Sequence, residues 1–294
     1  MRHKSRTLRE SIRQCPITIS RNPILNKGSK ILTIGSCFAS EIKHYLSAKG
    51  YNVLNKELPH QLIWYNTYTI FYEFSRVVKE FYQEDNDIWK LKKERPPNLE
   101  FNGIGRYQDP YRRCVFEETP KKLLKKIRKI DSKMSNFILE ADVIIITLGL
   151  TEVFFQDKNG LAICACPGYS KGGGRKITTF RCTEYNDNYD NIKKSIEIIR
   201  KINPKCKVVL TVSPVPLGRT FTESDHIVAN TESKSILRSV AGAIVRKYDN
   251  VHYFHSYEMV LNLGSEEVFK SDARHVKPEF VKLIMKEFEE AYVE

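Results

Sequence analysis

Along the chain, short runs of continuously apolar residues alternate with longer stretches whose apolar positions recur every three or four residues. That alternation predicts an α/β protein with a largely parallel sheet. Lys30–Gly35 (KILTIG) predicts a buried strand ending at a glycine. Ser36–Lys49 follows as a helix with Ala39, Ile42 and Leu46 on one face and Gly50 as its stop. Tyr51–Leu54 reads as a short second strand, and Asn66–Phe81 as an aromatic-rich helix capped by Asn66 or Thr67. Asp142–Gly149 (DVIIITLG) is apolar along almost its whole length, as a central strand covered on both faces should be. Lys207–Ser213 (KVVLTVS), closed by Pro214, and Val251–Phe254 complete the predicted strands. Further helices are expected over Pro120–Leu139, Asp187–Ile202, Asp225–Tyr248 and Pro278–Tyr292, the last opened by proline at its first position. Two stretches break the rhythm. Asp85–Cys114, with Pro96-Pro97 and Asn102-Gly103, reads as an insertion or lid, and Leu150–Thr183, with Pro167-Gly168, as loop-rich, its Gly172-Gly173-Gly174 reading as a flexible hairpin or lid. The expected architecture is a three-layer αβα sandwich with a mainly parallel sheet. An arm over 1–29 precedes one domain over 30–294, with loop insertions near 85–118 and 153–186.

Composition narrows the class. In 294 residues, 41% hydrophobic and 28% charged, there is material for a substantial core, which excludes a disordered chain. The longest clear apolar run, Val143–Leu150, is far short of the roughly 18 residues of a membrane span. Met1–Arg13 is basic but leads into no apolar segment, so no secretory leader is expected; a solvated arm is the first reading and a transit peptide the second. Seven cysteines without disulfide-module spacing point to a reducing, cytoplasmic setting. Cys164-x-Cys166 has no second close pair and no nearby His, so no metal site is expected, and no carboxylate–His cluster suggests one elsewhere.

The net charge of +13 favours an anionic partner without selecting one. On the Pro120–Leu139 helix, Lys122, Lys125, Lys126, Lys129 and Lys133 share the polar face near 121–133. A solvated face is the first reading there, docking on an anionic polymer or membrane the second. The aromatics of Trp64–Phe74 sit at helical spacing and read as core, so no specific nucleic acid is expected. Nothing in the pattern sets an oligomeric state.

Ligands of open α/β sheets gather outside the carboxyl ends of the strands. Gly35-Ser36-Cys37, Gly149-Leu150-Thr151-Glu152 and Ser213-Pro214 stand at such ends, and Asp272-Ala273-Arg274-His275 lies in the loop before the last helix. Ser36 at a strand-to-helix turn is placed either as an ordinary N-cap or as a nucleophile beside helix N-terminal amides. Asp272 and His275, three residues apart, supply an orienting acid and a base. Cys37 is expected to point into helix packing, as free cysteines commonly do. His44, His60, His252 and His255 read as surface or structural residues.

Gly35-Ser36-Cys37-Phe38-Ala39 resembles the signature of the GSCFA family, which is grouped with the SGNH (GDSL-type) hydrolases. Thr147–Val153 and Thr211–Leu217 resemble its second and third segments, the latter continuing through Asn230, Ser233-Lys234 and Leu237-Arg238. Tyr253–Glu258 and Asp272–Val276 resemble its C-terminal segments. The resemblance implies a flavodoxin-like αβα fold and a cofactor-free serine O-acyl esterase or O-acyltransferase acting on an acylated carbohydrate or polysaccharide precursor. Ser36 would be nucleophile, His275 base and Asp272 its partner. The implied oxyanion hole uses the Ser36 N–H together with Thr151, standing where relatives carry Asn, and Asn66. Gly149, Glu152 and Ser213 would contact substrate. A catalytically silent glycan- or polyanion-binding module on the same fold is the alternative.

Overall fold

The computed structural model describes residues 19–59, 62–95, 105–167, 176–261 and 268–294. Its centre is a parallel sheet in the order β1 (Ile31–Gly35), β5 (Val143–Leu148), β9 (Lys207–Val212), β10 (Val251–Tyr253). The registers run Ile31↔Val143, Val143↔Lys207 and Val251↔Val208. Side chains alternate between the faces of a strand, and the core divides accordingly. Leu32, Ile34, Ile144, Ile146, Val208 and Leu210 enter one apolar cluster, while Ile31, Val143, Ile145 and Val209 enter the other. The first face is covered by α2 (Thr67–Val77), α3 (Pro120–Glu140), α4 (Tyr185–Ile202) and α5 (His226–Lys247). The second carries α1 (Cys37–Ala48), the short α6 (Ser256–Leu261) and α7 (Pro278–Tyr292). These are the three layers that the apolar pattern predicts.

Local chemistry sets the helix ends. Asn66 Oδ1 accepts from Thr69 N at 2.9 Å, Thr119 Oγ1 from Lys122 N at 3.2 Å, and Asp225 Oδ1 from Ile227 N at 2.8 Å. Pro120 and Pro278 occupy first-turn positions where no amide hydrogen is needed. Three expectations are corrected. Tyr51–Leu54 makes one parallel bridge, Ile31↔Val53, rather than a strand. Leu150–Thr183, expected to be loop-rich, carries a small sheet among its described residues: β6 (Glu152–Gln156) pairs antiparallel with β7 (Ala162–Ile163) and β8 (Thr178–Cys182). Part of the expected arm is fixed in place, with Leu25 buried and bridged to Val293. Met1–Arg13, His60 and the triple glycine lie outside the described residues.

The insertion near 85–118 forms a second antiparallel sheet from β2 (Trp89–Arg95), β3 (Gly105–Gln108) and β4 (Phe116–Glu117). An ion cluster ties it to the helices. Arg112, fully buried, donates to Glu73 Oε1 and Oε2 at 2.9 and 2.7 Å and to Asp131 Oδ1 at 2.6 Å. Arg76 joins Glu73 at 2.7 Å, and Trp64 Nε1 donates to the same carboxylate at 3.0 Å. Burial alone would raise the Glu73 pKa, but Arg112 and Arg76 outweigh it and hold the carboxyl below its usual range. Asp109 is less well compensated: burial pushes it up to about 6.

The lysine face of α3 is partly neutralised, since Lys122 pairs with Glu118 at 2.6 Å and Lys126 with Glu117 at 3.0 Å. Among the described residues, no helix is long and apolar enough to cross a membrane.

Candidate active site

Ser36 sits where β1 turns into α1. Gly35 makes the turn possible: its φ is +128°, and a Cβ there would stand 2.1 Å from Thr147 O. Ser36 is the N-cap of α1, yet its hydroxyl makes no capping bond. Its Oγ is buried and has no hydrogen-bond partner, with the whole residue 2% exposed. A buried hydroxyl left without a partner costs about 1–3 kcal/mol, so the fold holds this group at the cleft without satisfying it. The Ser36 amide, in contrast, is already committed. It donates to Thr147 O at 3.0 Å, continuing the β1–β5 ladder, so it is not free for the oxyanion role implied by the resemblance. The helix start supplies substitutes, because first-turn amides such as those of Cys37 and Phe38 have no acceptor within the helix.

Ser36 opens onto a cleft of about 1230 Å³, part of it open to solvent. Asn66, Gly149, Glu152 and Ser213, all expected at the site, line this cleft with it. Gly149 packs so closely that a Cβ would lie 2.4 Å from Tyr65 O and 3.2 Å from the Ser36 Cβ. Asn66 faces the cleft while capping α2, and its amide nitrogen donates to Ile163 O at 2.8 Å. Glu152 accepts from Thr220 Oγ1 at 2.7 Å and from Phe221 N at 2.8 Å, which holds the 217–222 loop against the cleft. Ser213 Oγ accepts from Val215 N at 3.3 Å.

Thr151 does not line the cleft, contrary to expectation. Leu150 N–H is drawn to Tyr65 O at 3.0 Å, and the turn that follows sends Thr151 N–H to Ser233 Oγ at 3.0 Å. Cys37 packs against the second apolar cluster, as expected, and also lines the cleft. Burial raises its pKa, against a reactive thiolate.

Asp272 and His275 come together as the sequence suggests. His275 Nδ1 and Asp272 Oδ2 are 2.5 Å apart, and Asp272 Oδ1 accepts from the amides of His275 and Arg274 at 2.9 and 3.0 Å. Those bonds, the His275 side chain first, hold the Asp272 carboxyl well below its usual range. Ala273 between them is left-handed, at φ +52°. The pair is nearly half exposed, and Arg274, not His275, lines the cleft. Ser36 and His275 are therefore not hydrogen-bonded in this structure.

Three cationic residues at the site were not singled out from sequence. Arg113 Nη1 donates to the Tyr65 hydroxyl, and its guanidinium carbon lies 5.4 Å from the centre of that ring. Arg274 Nε donates to Pro216 O at 3.2 Å. Lys234, on α5 and 1% exposed, donates to Gly149 O at 2.7 Å, and burial lowers its pKa to about 7. The signal for Lys234 is its place beside Ser233 in the third segment. Among the described residues no three potential metal ligands cluster: Cys164 Sγ donates to Ile63 O at 3.1 Å, and Cys182 is exposed.

A parallel α/β sandwich with an unpartnered serine at a strand-to-helix turn, facing a cleft beyond the strand ends, defines the class of this chain. More narrowly, the GSCFA family model matches residues 30–288, so the chain belongs to the GSCFA family. No curated protein matches it.

Proposed function

We propose that the protein is a serine-dependent O-acyl esterase or O-acyltransferase of SGNH type, acting on an acylated carbohydrate or polysaccharide precursor. The observation that carries this reading is the Ser36 Oγ, buried and unpartnered in the cleft at the start of α1. The Asp272–His275 pair on a loop whose intervening Arg274 reaches the same cleft supports it. Phe154 and Phe221, in edge contact at 4.8 Å and both lining the cleft, give an apolar wall suited to an acyl chain or a sugar face. The free thiols of the described cysteines accord with a cytoplasmic setting.

In the first step the Asp272–His275 turn moves so that His275 Nε2 reaches Ser36. His275 takes the hydroxyl proton as Oγ attacks the ester carbonyl, with Asp272 fixing the imidazole tautomer. The oxyanion lies against first-turn amides of α1 and the Asn66 amide. The ester C–O bond then breaks, and the imidazolium protonates the departing alcohol. Water in a hydrolase, or a sugar hydroxyl in a transferase, gives its proton to His275 and takes the acyl group, regenerating Ser36.

Labelling of the purified protein with a fluorophosphonate, followed by peptide mapping, tests this. Label is expected on Ser36 and lost in folded His275→Ala; label on Cys37, or none on folded protein, overturns it. The second reading, a silent glycan- or polyanion-binding module, is favoured by the absence of a Ser36–His275 bond and gains ground on that last result.

A further inference from the structure

The cations around Ser36 are not explained by the reaction just proposed, which needs no positive charge at the site beyond His275. Arg274 and Arg113 enter the cleft from different directions, one from the loop before α7 and the other from the turn between β3 and β4. Both guanidiniums act electrostatically on the same two groups, the Cys37 thiol and the Tyr65 hydroxyl, which flank Ser36. Lys234 lies beneath, also within reach of Cys37 and Arg274. Among the described residues neither Arg274 nor Lys234 forms an ion pair; each donates to a main-chain carbonyl instead. Glu152, a carboxylate on the cleft wall, is turned to Thr220 and Phe221 N–H. A partly desolvated cleft that gathers like charges is repulsive when empty and strongly attractive to an anion. The Ser36 Oγ, buried and without a hydrogen-bond partner, lines the same cleft.

We propose that the cleft contains an oxyanion subsite beside Ser36, with Arg274 and Arg113 as its walls and Lys234 beneath it, and that the substrate is an ester bearing a carboxylate or phosphate close to the scissile bond. The guanidiniums present the planar donor fork that matches two oxygens of such a group. A neutral acyl sugar brings no counter-charge to Arg274, and an acidic one does. The inference takes its ester from the esterase or acyltransferase reading, while anion binding is measurable without any turnover.

The probes are glutarate, its neutral analogue glutaramide, and inorganic phosphate, titrated calorimetrically into the full-length protein. Glutarate or phosphate is expected to bind and glutaramide not, and the tighter anion identifies the substrate group. Arg274→Gln should weaken binding roughly tenfold to hundredfold, as the loss of a charged hydrogen-bonding partner does. Arg274→Lys, which retains charge but not the fork, should fall between, and serves if the glutamine variant melts early. Lys201→Gln, an exposed change at the C-terminal end of α4, should bind as the parent does. Absence of anion binding, equal binding by Arg274→Gln, or an equal loss in Lys201→Gln overturns the subsite. Ser36 labelling on the same preparations is scored separately. Label without anion binding defeats the subsite alone, and anion binding without label defeats the serine reading alone.

Discussion

Two groups of cations in this molecule, one buried within the fold and one at the cleft, have opposite surroundings. At the base of the β2–β4 insertion, Arg76 and Arg112 meet Glu73, Asp109 and Asp131, and Glu73 stays ionised in spite of complete burial. Beside Ser36, Arg274 and Lys234 each donate to a main-chain carbonyl and form no ion pair among the described residues, and Lys234 gives up part of its charge near neutral pH. The first group is closed and structural, for each cation has its carboxylate within the fold. The second is held by the fold without being neutralised by it, as expected where charge is kept for something that arrives from outside. Burial alone does not separate structure from function here. Whether the compensating charge is internal does.

The sharpest way to break that contrast is to remove one arginine from each group. Arg112→Gln leaves Glu73 without its bidentate partner in a dry interior, and should cost about 3–5 kcal/mol. Arg274→Gln removes a cation that has no ion-pair partner among the described residues, and should change stability by under about 1 kcal/mol. Urea midpoints for the two variants check this. Equal losses would mean that both groups are structural.

Lys234 allows a test by pH. Its folded-state pKa of about 7 lies below the ordinary lysine value of 10.5, so the unfolded chain binds more protons between those limits. Its contribution therefore raises stability as pH climbs from about 7 toward 10, by up to about 3 kcal/mol at pH near 9.5. Cys37 and Arg274 are the groups that face it, and the rising thiolate fraction opposes the trend only in the upper part of the range. In Lys234→Met the rise should disappear. Bound phosphate, which favours the protonated lysine, should flatten it in the parent protein. An unchanged slope in the variant would remove Lys234 from the comparison.

Sequence carried the sandwich further than it carried the site. Strands such as Val143–Leu148 and helices such as Pro278–Tyr292 were legible because their signals, continuous apolarity and a capping proline, are local. The β6–β8 sheet was not. Its strands are two to five residues long, and the outer one alternates between half-buried and exposed positions, so no apolar period emerges. Ser36, Asp272 and His275 were readable because each lies in a short motif. Arg113 and Lys234 belong to the site only through long-range packing, and Lys234 sits on a helix whose apolar stripe is weak.

Gly149 is the joint between local and distant parts, touching Tyr65 and Ser36 together. Gly149→Ala forces a Cβ into 2.4 Å of the Tyr65 carbonyl, where backbone must give way. A loss of about 1–3 kcal/mol is expected, with reduced Ser36 labelling at temperatures where the variant remains folded. Full labelling would show that Ser36 is independent of this wall.

The smallest stability effect is expected at the most exposed charged pair of the site, and it separates holding the fold from serving the reaction. Asp272 keeps its charge because His275 and neighbouring amides bond to it, so its folded pKa is depressed and its contribution is present above the ordinary aspartate value near 4. That contribution is lost only as pH falls through the lower folded value. Because the pair is nearly half exposed, water screens it, and Asp272→Asn should cost under about 1 kcal/mol at neutral pH. The same change removes the acceptor that fixes the His275 tautomer, so fluorophosphonate labelling of Ser36 should slow by tenfold or more while the urea midpoint barely moves. A large stability loss would place Asp272 with the closed group at Glu73. Unchanged stability with unchanged labelling would leave the Asp272–His275 pair as a loop clasp, with Ser36 activated by some other base.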